Sequence, residues 1–242
     1  AKTGTAQVNL IDVEDNAWFV AFAPFDEPEI AVVVFIANGY KGAVASLTSK
    51  DVIAHYIQHV LDWPPEKVFS TSTTLDSARL RRAIAQAVGV DQKSVYAYAL
   101  GEHGESQMVP WSIVTIAGKP LSQLMEERPD TYGKLDLDAL AAEGKKGGWI
   151  ILGGKGSTEF GIGASIAEVI RAVFGDENRV LPVSVYLDGQ YGQHGVYASV
   201  PAVLNRNGVA DIIELKLTEE EQQEFDASCK TMLENFNLAL TL

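Results

Sequence analysis

One histidine of this sequence lies in a setting suited to acid–base chemistry. His103 belongs to the segment Gly101-Glu102-His103-Gly104, between two strand-like stretches, where a ring can face a ligand. Because imidazole titrates near neutral pH, such a side chain can donate or accept a proton in a reaction at physiological pH. The alternative is a satisfied loop histidine, and the segment alone leaves both interpretations open.

A carboxylate and a guanidinium at the start of a predicted helix could serve this histidine. Asp76 and Arg79 are three residues apart and therefore share a helix face. A carboxylate fixes the tautomer of a histidine and stabilises its charged form, whereas a guanidinium grips a substrate carboxylate with two parallel hydrogen bonds. The alternative is an exposed ion pair, which contributes little to stability. The spacing does not by itself bring Asp76 to His103.

Two other histidines have a spacing that can hold a metal. His55 and His59 lie one helical turn apart, but the glutamate of the H-E-x-x-H pattern is missing and no third ligand is evident. We therefore predict no metal site.

Composition limits the class of protein and its partners. The chain has 242 residues, 47% of them hydrophobic, and a formal net charge of −13, which is typical of a globular protein. Nucleic acid and anionic membranes repel an acidic surface, so neither is expected as a partner. The single cysteine, Cys229, excludes an internal disulfide, and the longest apolar run, residues 30–37, is too short to span a bilayer. These features predict a cytoplasmic protein.

The pattern of elements predicts an α+β fold. Residues 5–10, 17–22 and 30–37 read as neighbouring antiparallel strands, and a helix from Asp51 to before Trp63 links them to the rest of the chain. Thr74 is predicted to cap the second helix, and Thr218 with Glu221 forms a capping box for a last helix to about Phe236. The remaining predicted elements are strands at 94–100, 111–117, 179–187, 196–200 and 212–217, and helices at 121–127, 136–143 and 164–174.

Most of the chain resembles the L-lactate and L-2-hydroxyacid dehydrogenase family. The strings that carry the resemblance are LDSARLRRAIAQAVGVDQKSVYAYALGEHGESQMVPWSIVTIAGKPL, GGKGSTEFGIGASIAEVIRAV and LPVSVYLDGQYGQHGVYASVPAVLNRNGV. The resemblance implies that His103 exchanges the proton of the substrate and that Asp76 is its partner. It also implies that Arg79 clamps the substrate carboxylate and that Thr158 lines the pocket. The implied ligand is a small 2-hydroxy or 2-oxo acid, and a homo-oligomer is a further expectation.

The same resemblance implies NAD as cofactor. In this family the dinucleotide rests on a Rossmann unit with a G-x-G-x-x-G turn. The glycine-rich stretch here offers Gly154-x-Gly156 but has Glu159 where the last glycine belongs. The cofactor-binding residues are therefore unknown, and we expect that the cofactor-binding domain is absent from this chain.

Residues 1–56 resemble a different family, the C-terminal end of a penicillin-binding transpeptidase. The strings are KTGTAQ, DNAWFVAFAPFDEPEIAVVVFIANGYKGA and SLTSKDVIAHYI. In that family a Lys-Thr-Gly strand, here Lys2, Thr3 and Gly4, borders the acyl site beside a Ser-x-x-Lys nucleophile. Neither Ser-x-x-Lys nor Ser-x-Asn occurs in this sequence. We predict a transpeptidase-like segment at 1–50 joined, near residues 51–57, to a dehydrogenase-like domain at 51–242.

Three hypotheses about function remain open. The first is a lactate dehydrogenase-type oxidoreductase represented by its substrate-binding catalytic half and inactive alone. The second is a penicillin-binding transpeptidase fragment, and the third is a non-catalytic chimeric scaffold. The residues around His103 support the first as ancestry, while the expected absence of a cofactor domain favours the third for the isolated chain.

Overall fold

The computed structural model describes residues 2–6, 16–23, 30–36, 50–156 and 158–240. The chain divides into two units, Ala1–Thr48 and Ser49–Leu242, which are described separately. The predicted α+β class is confirmed, with six helices and small antiparallel sheets in the described residues.

The first unit contains a three-stranded antiparallel sheet in the order β1-β2-β3. Its strands are β1 (Lys2–Ala6), β2 (Asn16–Ala23) and β3 (Ile30–Ile36). The strand predicted at 17–22 is confirmed, and that at 30–37 is confirmed for 30–36, with residue 37 outside the described residues. Their β-branched and aromatic residues suit a pleated surface. The strand predicted at 5–10 overlaps β1 only at its start, and residues 7–10 lie outside the described residues.

The second unit is built on a buried antiparallel hairpin. Strands β7 (Arg179–Asp188) and β8 (His194–Asn205) pair along their length, and β9 (Gly208–Ile212) adds to β8. The middle of the hairpin is almost fully buried, so its apolar residues do not alternate with exposed polar ones. A smaller sheet consists of β4 (Val95–Tyr96), β5 (Thr115–Ile116) and β6 (Lys119–Pro120).

Six helices surround these sheets in the described residues. They are α1 (Lys50–Leu61), α2 (Thr74–Val88), α3 (Leu121–Glu127), α4 (Leu137–Lys155), α5 (Glu159–Phe174) and α6 (Glu219–Ala239). Helix α2 lies in the main core, where Leu80 and Ile84 pack with Val114 and Leu121. Within the described residues, no helix has the length and apolarity needed to cross a membrane.

The helix ends confirm one predicted cap and correct another. Thr218 Oγ1 accepts the Glu221 N–H at 3.2 Å and Glu221 accepts the Thr218 N–H at 2.9 Å, so the capping box is confirmed. The prediction for Thr74 is wrong, because Thr73 is the N-cap residue and makes no side-chain cap bond. Thr74 Oγ1 instead donates to the Pro182 carbonyl at 2.7 Å, which ties α2 to β7.

The glycine-rich stretch is helical where the sequence predicted an early end. Helix α4 runs to Lys155 rather than to 143, and α5 begins at Glu159 rather than at 164. Helix α4 packs against α2 at this point, since a Cβ at Gly144 would lie 3.5 Å from the Asp76 carbonyl oxygen and the Leu80 Cβ. Close packing against α2 therefore overrides the weak intrinsic helix propensity of glycine.

The predicted strand boundaries were less accurate in three places. Within residues 94–100 and 111–117, the strands are limited to β4 and β5, with one further bridge from Leu100 to Met108, and Trp111–Ile113 forms a 3₁₀ turn. The strand predicted at 212–217 is displaced to β9, because the chain turns back immediately after β8 at Gly208, whose φ of 95° requires a left-handed conformation.

Helix α1 packs on α6 through a buried histidine. The ring of His55 stacks on Phe236 with centroids 3.5 Å apart, and it also meets Tyr197 at 5.3 Å. Burial, with a smaller contribution from the positive charge of His59, lowers the pKa of His55 from 6.5 to about 4. His55 is therefore neutral in the folded chain at pH 7.

We expect this histidine to make folding sensitive to acid. An unfolded chain takes up a proton here near pH 6.5, whereas the folded chain does so only near pH 4, so stability falls as the pH decreases through this window. Between pH 7 and pH 5 the loss should be about 1–2 kcal/mol, allowing for solvent screening. Urea unfolding at several pH values measures it.

His55→Phe keeps the stacked ring without a titratable nitrogen and should flatten this part of the pH profile. His194→Asn removes an exposed histidine and is the matched control, which should keep the slope. An unchanged slope in His55→Phe would contradict the assignment.

Candidate active site

Helix α2 presents the predicted carboxylate and guanidinium from its first turns. Leu80 and Ile84 bury one face of the helix, and that packing fixes the direction of Asp76 and Arg79. Asp76 is 1% exposed, and its Oδ1 accepts a hydrogen bond from Arg79 Nη1 at 3.2 Å. The pair therefore consists of a buried carboxylate and a half-buried guanidinium rather than two exposed groups.

The structure brings His103 to the same carboxylate. His103 Nδ1 makes a hydrogen bond with Asp76 Oδ2, although the two residues are 27 positions apart. The His103 side chain is 33% exposed, whereas that of Asp76 is 1% exposed. Since Asp76 engages Nδ1, the other ring nitrogen, Nε2, is directed away from the carboxylate and can meet a ligand.

The main chain of the histidine segment is held at consecutive residues by separate elements. Strand β8, helix α6 and helix α1 each accept one N–H group from residues 101–103. The bonds are Gly101 N–H to the Ser199 carbonyl at 3.0 Å, Glu102 N–H to Ser228 Oγ at 2.9 Å and His103 N–H to Asp51 Oδ2 at 3.1 Å. Three hydrogen bonds therefore hold the main chain of this segment and fix the position of the histidine.

Residues that were not predicted as site residues also hold the histidine segment. Glu102 is buried and accepts hydrogen bonds from both the main-chain N–H and the hydroxyl of Ser106, at 3.1 and 2.6 Å. Asp51 and Ser228 were predicted only as parts of helices. A carboxylate in the first turn of a helix is a common capping feature, so no sequence signal distinguished Asp51.

Helix α4 provides the surface on which Arg79 lies. A Cβ added to Gly147 would stand 2.9 Å from Arg79 Cδ and 3.0 Å from Nε, closer than ordinary contact. The absence of a side chain at this position lets the guanidinium stem rest against the helix backbone. The glycines of α4 are therefore part of the site as well as of the fold.

The other predicted site residues lie at the start of α5 and on β1. Thr158 is exposed at the N-cap of α5 without a side-chain cap bond, and no hydrogen bond of the described residues links it to His103 or Arg79. Lys2, Thr3 and Gly4 lie on β1 in the other unit, paired with Val20, Phe19 and Trp18 of β2. Their backbone is that of an edge strand among the described strands of that sheet.

The described residues do not fit a dinucleotide. All their strand pairs are antiparallel, whereas a Rossmann site needs a glycine turn between a parallel strand and a helix. Gly154 and Gly156 lie at the C-terminal end of α4, which attracts cations rather than phosphates, and the next helix begins with Glu159. Within the same residues, no group of three or more His, Cys, Asp or Glu could hold a metal ion.

Two protein families match different parts of the chain. The lactate/malate dehydrogenase family, α/β C-terminal domain, matches residues 73–242. The penicillin-binding protein transpeptidase domain matches residues 1–57. The matches agree with both resemblances seen in the sequence.

Individual relatives belong to the first of these families. L-lactate dehydrogenase 3 of Bacillus cereus is 40% identical over 194 residues, which is 80% of this chain and 61% of that protein. An L-lactate dehydrogenase of Fusobacterium nucleatum is 37% identical over 198 residues, 81% of this chain and 62% of the relative. The chain thus spans about three fifths of the length of these curated relatives.

Solved structures give the same result. The minor L-lactate dehydrogenase of Enterococcus mundtii, in its ligands-bound form, has a TM-score of 0.74 at 36% identity, covering 78% of this chain and 60% of its own. The malate dehydrogenase of Aeropyrum pernix has a TM-score of 0.71 at 32% identity, covering 78% and 61%.

Gly101 offers a test of how closely the histidine segment packs against α6. Its φ is 82°, and a Cβ would lie 2.3 Å from Ser228 Oγ, whereas Gly89 has a φ of 73° and nothing within 4 Å of its Cβ position. Both alanine variants should lose about 1–2 kcal/mol from the left-handed backbone. Gly101→Ala should lose a further 1–3 kcal/mol or so from the clash with α6. Urea unfolding followed by circular dichroism measures both losses, and equal losses would show that α6 does not press on this segment.

Proposed function

This chain belongs to the lactate/malate dehydrogenase family, and from that membership we propose that it carries the substrate side of an L-lactate dehydrogenase-type reaction. The ligand is a small 2-oxo acid, or the corresponding 2-hydroxy acid in the reverse direction. The observation that carries this proposal is the buried Asp76 carboxylate, whose two oxygens contact His103 and Arg79. The His103 ring and the Arg79 guanidinium suit the carbonyl and the carboxylate of one small acid.

Arg79 serves as the clamp for the substrate carboxylate. Its guanidinium donates to Asp76 through Nη1 only, and its planar fork has further N–H groups that can bind the acid. Asp76 and Gly147 hold the guanidinium from two sides, so the bound acid meets a group whose direction is already set. Such preorganisation lowers the entropy cost of binding.

His103 serves as the proton donor for the carbonyl oxygen. A proton on Nε2 passes to that oxygen as it becomes a hydroxyl, and the neutral ring accepts a proton from the hydroxyl in the reverse direction. Asp76 keeps the Nδ1 nitrogen protonated and stabilises the imidazolium, which leaves Nε2 as the exchanging atom.

The redox half of the reaction requires a hydride carrier, and the family resemblance implies NAD. Because the described residues do not fit a dinucleotide, they supply carboxylate binding and proton transfer only. We propose that these residues bind the acid without turning it over by themselves. Self-association into a homo-oligomer and a cytoplasmic location remain predictions.

A second candidate function rests on the first unit. Residues 1–57 match the transpeptidase domain, and Lys2, Thr3 and Gly4 lie on an edge strand. A fluorescent penicillin separates this candidate from the first, because a transpeptidase forms a covalent acyl-enzyme that survives denaturing electrophoresis. Labelling would support it. If the chain is not labelled by penicillin and does not bind the acid, the result would support the non-catalytic scaffold.

Substrate binding is the sharpest test of the clamp, because it needs no cofactor. Arg79→Lys keeps the charge but loses the fork, and we expect its affinity for pyruvate to fall by about tenfold or more. Arg82→Gln removes an exposed arginine from the same helix and should bind like the wild type. Titration of His103 and Arg79 signals by NMR measures the affinity. Unchanged affinity in Arg79→Lys would show that the positive charge alone suffices, and an equal loss in Arg82→Gln would show that the effect is not specific to Arg79.

Turnover tests the proton donor. If the wild type oxidises NADH in the presence of pyruvate, the rate at which NADH absorbance is lost should be about 10²–10⁴-fold lower in His103→Asn. His194→Asn removes an exposed histidine and should retain the wild-type rate. Undiminished turnover in His103→Asn would contradict the proton-transfer role. Acid binding without turnover in the wild type would agree with a substrate half that lacks its hydride carrier.

A further inference from the structure

A second buried aspartate contacts His103 from the side opposite its ring. Asp51 stands in the first turn of α1, and its Oδ2 accepts the His103 main-chain N–H at 3.1 Å. Asp76 holds the ring nitrogen of the same residue. His103 is therefore held at its backbone by one carboxylate and at its side chain by another.

The burial of Asp51 indicates that it does more than begin a helix. A first-turn acid that only complements the helix dipole can stay in solvent, but Asp51 is 1% exposed. Its Oδ1 is also buried and has no hydrogen-bond partner among the described residues. Burying a carboxylate with one unpaired oxygen is unfavourable, so the bond from Oδ2 to His103 must be maintained against that cost.

Asp51 also lies close to helix α6. Burial, followed by the charges of Asp226 and Asp51, raises the pKa of the Cys229 thiol to about 12. The neighbouring Ser228 accepts the Glu102 N–H at 2.9 Å. Asp51 thus stands where α1, α6 and the histidine segment meet, and its hydrogen bond connects α1 to the His103 backbone.

We propose that Asp51 is a positioning residue that sets the location of the His103 ring through the main-chain N–H. With the N–H held by Asp51 and Nδ1 held by Asp76, the ring cannot swing without breaking a charge-assisted hydrogen bond. The catalytic consequence rests on the proposed function, whereas the anchoring itself does not. A displacement of Nε2 by about 1 Å is enough to slow a proton transfer about a hundredfold.

The anchor is read directly from the His103 amide by NMR of the full chain. In the wild type, the bond to a carboxylate should shift this proton downfield and protect it from exchange with solvent. In Asp51→Leu the signal should move upfield, and exchange should become about tenfold faster or more. Asp51→Asn, which keeps an uncharged acceptor, should give an intermediate shift and exchange rate.

The controls separate the anchor from helix stability. Asp138→Leu removes an exposed first-turn acid from α4 and should leave the His103 amide unchanged. If Asp51→Leu does not fold, Asp51→Asn decides the matter, since a wild-type amide signal in that variant would overturn the role of the charge. An unchanged signal in a folded Asp51→Leu would overturn the anchor.

Kinetics then test the link to the proposed function. If the wild type turns over a 2-oxo acid, Asp51→Asn should lower kcat about tenfold while KM, set by Arg79, stays within about twofold. A rise in KM with unchanged kcat would overturn the positioning role. The wild type could fail to bind or turn over the acid while the His103 amide signal still moves upfield in Asp51→Leu. That combination would overturn the proposed function and leave the anchor supported.

Discussion

The paired burial of Asp76 is the constraint on which the site depends. A carboxylate removed from water is costly unless its oxygens are paired, and Asp76 is 1% exposed. Its two partners come from different parts of the chain, one from the next turn of α2 and one from a segment 27 residues later. The fold must therefore bring that segment to α2, and the hydrogen bonds from β8, α6 and α1 to residues 101–103 show how it does so.

The residues of the candidate site were easier to select from the sequence than the residues that hold them in place. His103, Asp76 and Arg79 could be chosen from residue type and from family resemblance, and the α+β class followed from the order of strand and helix patterns. Asp51 could not be recognised, because its function depends on a contact across 52 residues and its local pattern is only that of a helix start. A single contact between two residues far apart in the sequence, such as this one, leaves no periodic pattern of residues.

The glycine-rich stretch shows the same limit in another form. Local propensity predicts a break near residue 143, yet α4 continues to Lys155, with Gly144 in contact range of α2 and Arg79 in the space that a side chain at Gly147 would fill. Thr74 follows a similar logic, since its hydroxyl bonds to β7 instead of capping α2. In each case, a contact with a residue distant in the sequence gives the residue a different role from the one that local rules predict. Where the contact is itself local, as in the Thr218 capping box, the prediction holds.

The partial exposure of His103 has a consequence for the medium around the site. One third of the side-chain surface meets solvent, so water reaches the ring that a ligand would use. A 2-oxo acid must displace that water, and its charges interact through a more polar medium than they would in a closed pocket. For these residues, the surrounding water competes with the ligand for the site.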